Sequence, residues 1–324
     1  MRPPDFWHRS GPISAVLAPL GQVFDIAGRV RDALAHPVRI PVPVLCIGNL
    51  VVGGAGKTPV TAAIAETLHM RGRAPHILSR GYGGRLRGPV RVDPHRHTAA
   101  EVGDEPLLLS AVAPTWVSRD RVAGARAAAA AGAGVIVMDD GFQNPYLAKT
   151  ASWLVVDGTY GFGNGRPMPA GPLRESVARG LARASAAIVL GEDTSGVSPL
   201  LADLPVLRGR IVPRGNDATR FAGRPVVAFA GIGRPEKFFM TLRAIGADLV
   251  ECRAFSDHHP YTPADLAALR DRARARNAAI VTTEKDAVRL PRALREEVDV
   301  LAVRVQWDDE AALGRLLDSV TADG

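Results

Sequence analysis

Residues 48–59 read GNLVVGGAGKTP, and this stretch constrains the fold more than any other. An apolar run, Val42 to Ile47, precedes it, and a helical segment from Lys57 to about Arg71 follows. Strand, glycine loop and helix in that order are the setting a phosphate-binding loop requires. The strict pattern, G-x-x-x-x-G-K-[ST], puts its first glycine at position 51, where this chain has Val51. The rest of the chemistry is intact. Backbone N–H groups of Gly53, Gly54, Ala55, Gly56, Lys57 and Thr58 would cradle phosphate oxygens at a helix N-terminus, where aligned peptide dipoles favour anions. Lys57 would reach the β- and γ-phosphates of a nucleotide, and the Thr58 hydroxyl would bind Mg2+. The plain alternative is a tight strand-to-helix turn.

Lysine is rare here, which sharpens the point. Of 40 basic residues only Lys57, Lys149, Lys237 and Lys285 are lysines. One of them stands where a phosphate loop uses a compact ammonium that arginine does not replace. The net charge of +7 suits an anionic partner such as a nucleotide or an acidic membrane, although an arginine-rich composition alone gives the same balance. Nucleic acid is not expected as a partner. Aromatic residues make up 5% of the chain, with no cluster interleaved with basic residues for base stacking. Cys46 and Cys252 offer neither a disulfide framework nor zinc-ligand spacing, which points to a reducing compartment. No signal peptide is read at the N-terminus. A chain of 324 residues, 47% hydrophobic, suits two globular domains.

Short apolar runs at 76–79, 115–118, 135–138, 153–156 and 187–190 alternate with helical segments at 105–112 and 121–131. Such alternation predicts an α/β fold of the P-loop NTPase type, a parallel sheet with helices on both faces. The core lobe is expected over 41–205. Residues 206–222 are basic and turn-rich and read as a linker. A smaller C-terminal α/β lobe is expected over 223–324, with strands at 226–230, 249–255, 279–282 and 298–303 and helices at 236–245, 263–276 and 309–319.

Residues 1–40 form a separate segment. Ile13, Val16, Leu17, Leu20, Val23, Phe24, Ala27, Val30 and Leu34 recur at spacings of threes and fours, a helical stripe. Pro19 should kink or restart that helix. No run of 18 apolar residues occurs, so the segment is not expected to cross a bilayer. It reads either as an amphipathic helix lying in the membrane interface, with Arg2, Phe6, Trp7 and Arg9 as anchors, or as a helix packed on its own domain.

Four further motifs carry chemistry. VIVMDDG, 135–141, ends an apolar strand in Asp139 and Asp140, at the sheet edge where open α/β folds bind ligands. Either carboxylate would hold Mg2+, directly or through water. VGDEP, 102–106, sets Asp104 beside Glu105, and adjacent carboxylates repel unless a cation offsets them. A solvated helix start with Asp104 as its cap explains the same spacing. SDHHPYT, 256–262, holds a histidine pair whose ordinary reading is a surface loop. TTEKDAVR, 282–289, ends a strand with Lys285. It lacks the [NT]-K-x-D spacing of guanine-specific proteins, so ATP is the expected nucleotide.

In this order the motifs resemble those of the tetraacyldisaccharide 4'-kinases of lipid A biosynthesis. The resemblance runs through GNLVVGGAGKTP, SRGYGG, VGDEP, DDGFQN, FGNGRPMPAGPLRES, FSDHHPYT and TTEKDAVR, over roughly residues 5–305. It implies transfer of the ATP γ-phosphate, with Mg2+, to the 4'-hydroxyl of a tetraacylated glucosamine disaccharide 1-phosphate. It also implies a peripheral or monotopic enzyme on the cytoplasmic face of the inner membrane, with two lobes that close over the nucleotide. In its terms Asp104 is the general base and His258 its support. Glu105, Asp139 and Asp140 are the acids around the metal. Arg80, Tyr82, Arg121 and Arg174 lie toward the phosphates or the lipid. The family usually has DDGFQH, whereas this chain has Asn144 in the last slot, and an amide cannot titrate. His259 beside His258 leaves open which ring faces inward, and the family's Asp-His pattern favours His258, which follows Asp257. The FGNG and PAGPLRE stretches, and Val52 where many P-loop switch ATPases of the partitioning or metal-insertion type carry lysine, speak against that rival.

Overall fold

A computed structural model of the chain describes residues 4–322. Arg2, one of the expected anchors, lies outside the described residues. The strands in chain order are β1 (Val44–Gly48), β2 (Pro75–Ser79), β3 (Val90–Arg91), β4 (Thr115–Val117), β5 (Val135–Asp139), β6 (Ala151–Asp157), β7 (Ala186–Leu190), β8 (Val206–Pro213), β9 (Pro225–Ala230), β10 (Asp248–Ala254), β11 (Ala279–Thr283), β12 (Asp299–Leu301) and β13 (Val303–Trp307). They form a nine-stranded sheet, β13-β8-β7-β6-β1-β5-β2-β4-β3, and a four-stranded sheet, β10-β9-β11-β12.

The large sheet is parallel except at its two ends, where β13 and β3 run antiparallel to their neighbours. Alternate residues of β1 face opposite ways. Leu45 and Ile47 join one buried cluster, and Val44 and Cys46 join the other. Both faces are therefore covered, as a parallel sheet demands, and its central strands read as continuous apolar runs for that reason. The small sheet is all parallel and sandwiched in the same way, with Val226, Ala228 and Ala230 on one face and Val227 and Phe229 on the other.

The expected linker does not exist as one. Val206–Pro213 is β8, a strand of the large sheet paired to β7 on one side and β13 on the other. Its basic, turn-like composition reflects a strand with a solvent-facing side: Arg208 and Arg210 point out while Leu207 is buried. The expected strand 298–303 is likewise two. β12 closes the small sheet, and after Ala302 the chain returns to the large one as β13 and the helix Glu310–Ala322, whose Leu313, Leu317 and Val320 enter the core. The chain thus crosses between lobes twice, side by side, where the Arg214 N–H donates to the Ala302 carbonyl at 2.8 Å.

The N-terminal helix, α1 (Pro12–Leu34), runs without interruption through Pro19, so the expected restart is absent. Its orientation is unusual. The buried residues are Ser14, Gly21 and Asp25, while Val16, Leu20, Val23 and Leu34 are 57–78% exposed. Asp25 accepts the Ser176 N–H at 3.0 Å and pairs with Arg179, and Asp32 pairs with Arg179 and Arg183. Gly21 passes so close to the Pro167 carbonyl that a Cβ there would stand 2.7 Å from it. The helix therefore docks through its polar face and turns its apolar stripe outward. By length and composition alone α1 is long and apolar enough to cross a membrane.

Candidate active site

The glycine loop leaves β1 and enters α2 (Lys57–Met70). Gly53 and Gly56 have φ of 107° and 84°, a left-handed region that side chains avoid. Val51 needs no such freedom. It is buried and bridges to Leu173, and the next N–H, that of Val52, donates to the Pro172 carbonyl at 2.8 Å. The Arg174 N–H donates to the Leu50 carbonyl at 2.7 Å. PAGPLRE is thus laced to the entrance of the loop, and this places Arg174 in the site.

Asp139 ends β5 beside the loop and is buried. One of its oxygens accepts the Thr61 hydroxyl at 2.9 Å, and the other has no partner among the described residues. Burial first, then the charges of Glu105 and Asp140, push its carboxyl up to about 7. Asp140, one residue on and at φ 50°, behaves oppositely. Arg174 donates to it at 2.8 and 3.3 Å, and the Lys57 ammonium is 3.6 Å away. Burial alone would raise this group, but Lys57 and Arg174 outweigh it and hold the carboxyl down to about 2. Lys57 also donates to Asn49 Oδ1 at 3.1 Å.

A buried carboxylate oxygen without a donor, crowded by two more carboxylates, is what a divalent cation would relieve. The residues present fit Mg2+. Asp139 supplies that oxygen, Glu105 and Asp140 are its electrostatic neighbours, and Thr58 lies in the first turn of α2. Among the described residues no three acidic, histidine or cysteine side chains form a ready cage. This suits an ion that keeps waters and shares phosphate oxygens with its substrate.

The second lobe closes the site. Gly233 stands over the glycine loop, its missing Cβ 3.4 Å from the Gly54 nitrogen. His258 Nδ1 lies 2.9 Å from Asp104 Oδ2, with His258 in a left-handed conformation at φ 58°. Asp104 is buried. Burial would raise its pKa, but the His258 hydrogen bond and the charges of Lys285 and Arg289 hold it below the ordinary carboxylate value. His259 turns away, pairing with Asp265 at 3.2 Å and packing against Phe255 and Tyr261. Tyr82, 66% exposed, packs its ring 5.4 Å from that of His258.

Arg121 is buried at the start of the helix Arg121–Ala130, and its Nε has no hydrogen-bond partner among the described residues. Burial first, then the charge of Arg80, lower it to about 10, and the charges of Asp139 and Asp140 oppose that shift. Arg80 itself is exposed. Asn144 does not enter this constellation. Its Oδ1 accepts the Tyr146 and Leu147 N–H groups, both at 3.1 Å, and so shapes a turn. Sequence reasoning passed over Asn49, Gln143 and Glu175. The Gln143 amide donates to the Asn49 carbonyl and to Glu175 Oε1, both at 3.0 Å. The signal was present, since each residue sits inside a motif already singled out.

A sequence profile described as tetraacyldisaccharide-1-P 4'-kinase matches residues 13–322. The tetraacyldisaccharide 4'-kinase of Rhodospirillum centenum is 58% identical over 323 residues, covering 98% of this chain and 96% of its own. That of Paramagnetospirillum magneticum is 53% identical over 322 residues, covering 99% of each. Among solved structures, LpxK from Aquifex aeolicus in complex with ATP superposes with a TM-score of 0.76 at 25% identity, covering 95% of this chain and 99% of that one.

Proposed function

The chain belongs to the tetraacyldisaccharide 4'-kinase family, and on that premise we propose the residues that carry its reaction. The reaction is transfer of the ATP γ-phosphoryl group to the 4'-hydroxyl of a tetraacylated glucosamine disaccharide 1-phosphate, a step of lipid A biosynthesis. The observation that carries the assignment is the Asp104–His258 contact, which joins the two lobes beside the phosphate loop.

Gly53 to Thr58 bind the nucleotide phosphates. Asp104 accepts the proton of the sugar hydroxyl as the γ-phosphoryl arrives. A carboxylate held ionised is available at neutral pH, and a loose transition state asks more of position than of basicity. His258 fixes the carboxylate and shields it from water. Because His258 comes from the second lobe, the base is assembled only on closure, which disfavours hydrolysis of ATP. Thr58, Glu105, Asp139 and Asp140 would hold Mg2+, which when bound neutralises charge developing on the phosphates. Arg121, Arg174 and Arg80 complete the positive side of the site, and Tyr82 faces the acceptor beside His258.

The enzyme works from the cytoplasmic face of the inner membrane as a peripheral or monotopic protein. Support comes from α1, whose polar face is consumed by ion pairs to its own lobe while its apolar stripe is bare. A helix held sideways on a lobe by the buried Asp25 and the partly buried Asp32 presents that stripe to an interface rather than threading the bilayer.

Purified protein given γ-labelled ATP and the disaccharide lipid should place label in the lipid. Lys57→Ala should abolish transfer, and label appearing only as free phosphate in the parent protein would overturn the reading. In the same preparation, Val16, Leu20 and Val23 changed together to serine should release the protein from lipid vesicles. Unchanged flotation would refute the role of α1.

A further inference from the structure

One motif enters the proposed mechanism only through the charges it sets beside Asp104: TTEKDAVR, at the end of β11. The side chains it contributes are knit into the second lobe. Asp286 is fully buried and accepts the Gly231 N–H at 2.9 Å, the Tyr261 hydroxyl at 2.6 Å and Arg289 at 2.6 Å. The Arg289 guanidinium donates to the carbonyls of Gly231 at 2.8 Å and His259 at 3.3 Å. Three separate loops are thereby fixed to one another, and the His258 N–H, 3.1 Å from the same Gly231 carbonyl, is held with them.

Lys285 projects from this frame across the lobe boundary. Its ammonium is 3.0 Å from Glu105 Oε1 and 3.9 Å from Asp104 Oδ2, and Arg289 Nε is 3.5 Å from that same Asp104 oxygen. Two adjacent carboxylates of the first lobe thus meet two cations of the second. A surface salt bridge would add little, but the side chains of Lys285 and Asp104 are 21% and 4% exposed, and Arg289 is 7% exposed. Lys285 is also one of four lysines in a chain with 40 basic residues, at a position where a compact charge on a flexible stem can serve two carboxylates together.

We infer that Lys285 is a positioning residue: it draws the second lobe onto the Asp104–Glu105 turn, so that His258 meets Asp104 only when the lobes are shut. The inference rests on the proposed role of that dyad. In this role Lys285 acts through its contacts with Glu105 and Asp104 rather than on nucleotide or acceptor. Its effect is on how much of the enzyme is closed, so it should appear in turnover and leave nucleotide capture by the glycine loop largely alone.

The test compares Lys285→Met and Lys285→Arg with the parent protein. Closure is read by energy transfer between a dye on the exposed Cys252 and one on a cysteine replacing Tyr146, while Cys46 is buried and stays unlabelled. Lys285→Met should lower kcat for lipid phosphorylation about 10- to 100-fold and leave KM for ATP within about threefold. It should keep the parent melting temperature and fail to reach the high-transfer state with ATP and lipid. Lys285→Arg should recover most of both signals. Normal turnover by Lys285→Met overturns the inference, and so does lost turnover with normal closure. Should the parent protein label no lipid, the dyad reading fails by itself, and the closure signal still judges Lys285.

Discussion

The two lobes meet along two seams built from the same parts and put to different use. At one, the buried Asp104 of the first lobe faces His258, Lys285 and Arg289 of the second. At the other, the buried Asp157, at the end of β6, accepts from Arg234 and from Lys237, both at 2.5 Å, and Arg234 also lies over the Tyr160 ring at 4.1 Å. β6 and β5 flank β1, so the glycine loop has acids on both sides: Asp157 on one, Asp139 and Asp140 on the other. The first seam adds an imidazole and a second carboxylate, and its arginine is locked by Asp286. At the second, the ion-pair partners of Asp157 among the described residues are Arg234 and Lys237, and Lys237 is 45% exposed. A carboxylate clamped by cations is a grip in either place. It becomes a catalytic device only where a group able to share a proton is brought to it.

The sharpest way to break this distinction is to remove the carboxylate charge at each seam. Asp104→Asn should lower lipid phosphorylation on the order of 10²- to 10⁴-fold at saturating substrates, the range lost with a general base. ATP binding, followed by a fluorescent analogue, should persist. If Asp104→Asn and Asp157→Asn fell by the same factor, both seams would be grips, and the base would have to be sought elsewhere.

That the two seams differ was only half legible in the sequence. The Asp104 side was readable through the resemblance of its motifs, since spacing alone left Asp104 as an ordinary helix cap and the histidine pair as a surface loop. The Asp157 side was not, since Asp157 closes an ordinary apolar strand and Arg234 and Lys237 open an ordinary helix. The same limit explains β8. Arg208, Gly209 and Arg210 look like a linker, because a strand near the sheet end with one solvent-facing side loses the apolar run that marks a central strand. In α1 the stripe was read correctly, but stripes normally face inward. Here the inward face holds Asp25 and Asp32, whose arginine partners, Arg179 and Arg183, lie about 150 residues away, beyond what periodicity can show. The preference for His258 over His259 rests on the Asp-His pattern of the resemblance, and the His258 ring reaches Asp104 from a backbone at φ 58° that no residue type announces.

Arg234 offers a gentler comparison. Removing it takes away an ion pair and a cation–π contact at the second seam, both partly exposed, and leaves the dyad untouched. Arg234→Ala should lower kcat/KM about 3- to 10-fold, as expected for a loss near 1 kcal/mol in the closed arrangement. Steady-state assays beside Lys285→Met would rank the seams. A larger loss from Arg234→Ala would move the main closing contact to the Asp157 side.

The smallest effect concerns pH. Burial would raise Asp157, but its hydrogen bond from Lys237 and the charges of Lys237 and Arg234 outweigh this, so its folded value lies below the ordinary one. A depressed carboxylate stabilises the folded protein at pH above its unfolded value, near 4, and that contribution fades as pH falls through the folded value. Wild type should therefore exceed Asp157→Asn by a constant margin, about 1–2 kcal/mol for a pair whose cations stay partly solvated, from pH 8 down to about 5. Below about pH 4 the margin should shrink toward zero, as the wild-type carboxyl takes up its proton and comes to resemble the amide. Melting curves of the two proteins across that range read it directly. A margin that grew on acidification would mean that Asp157 titrates upward, and that burial rather than the second-lobe cations controls this seam.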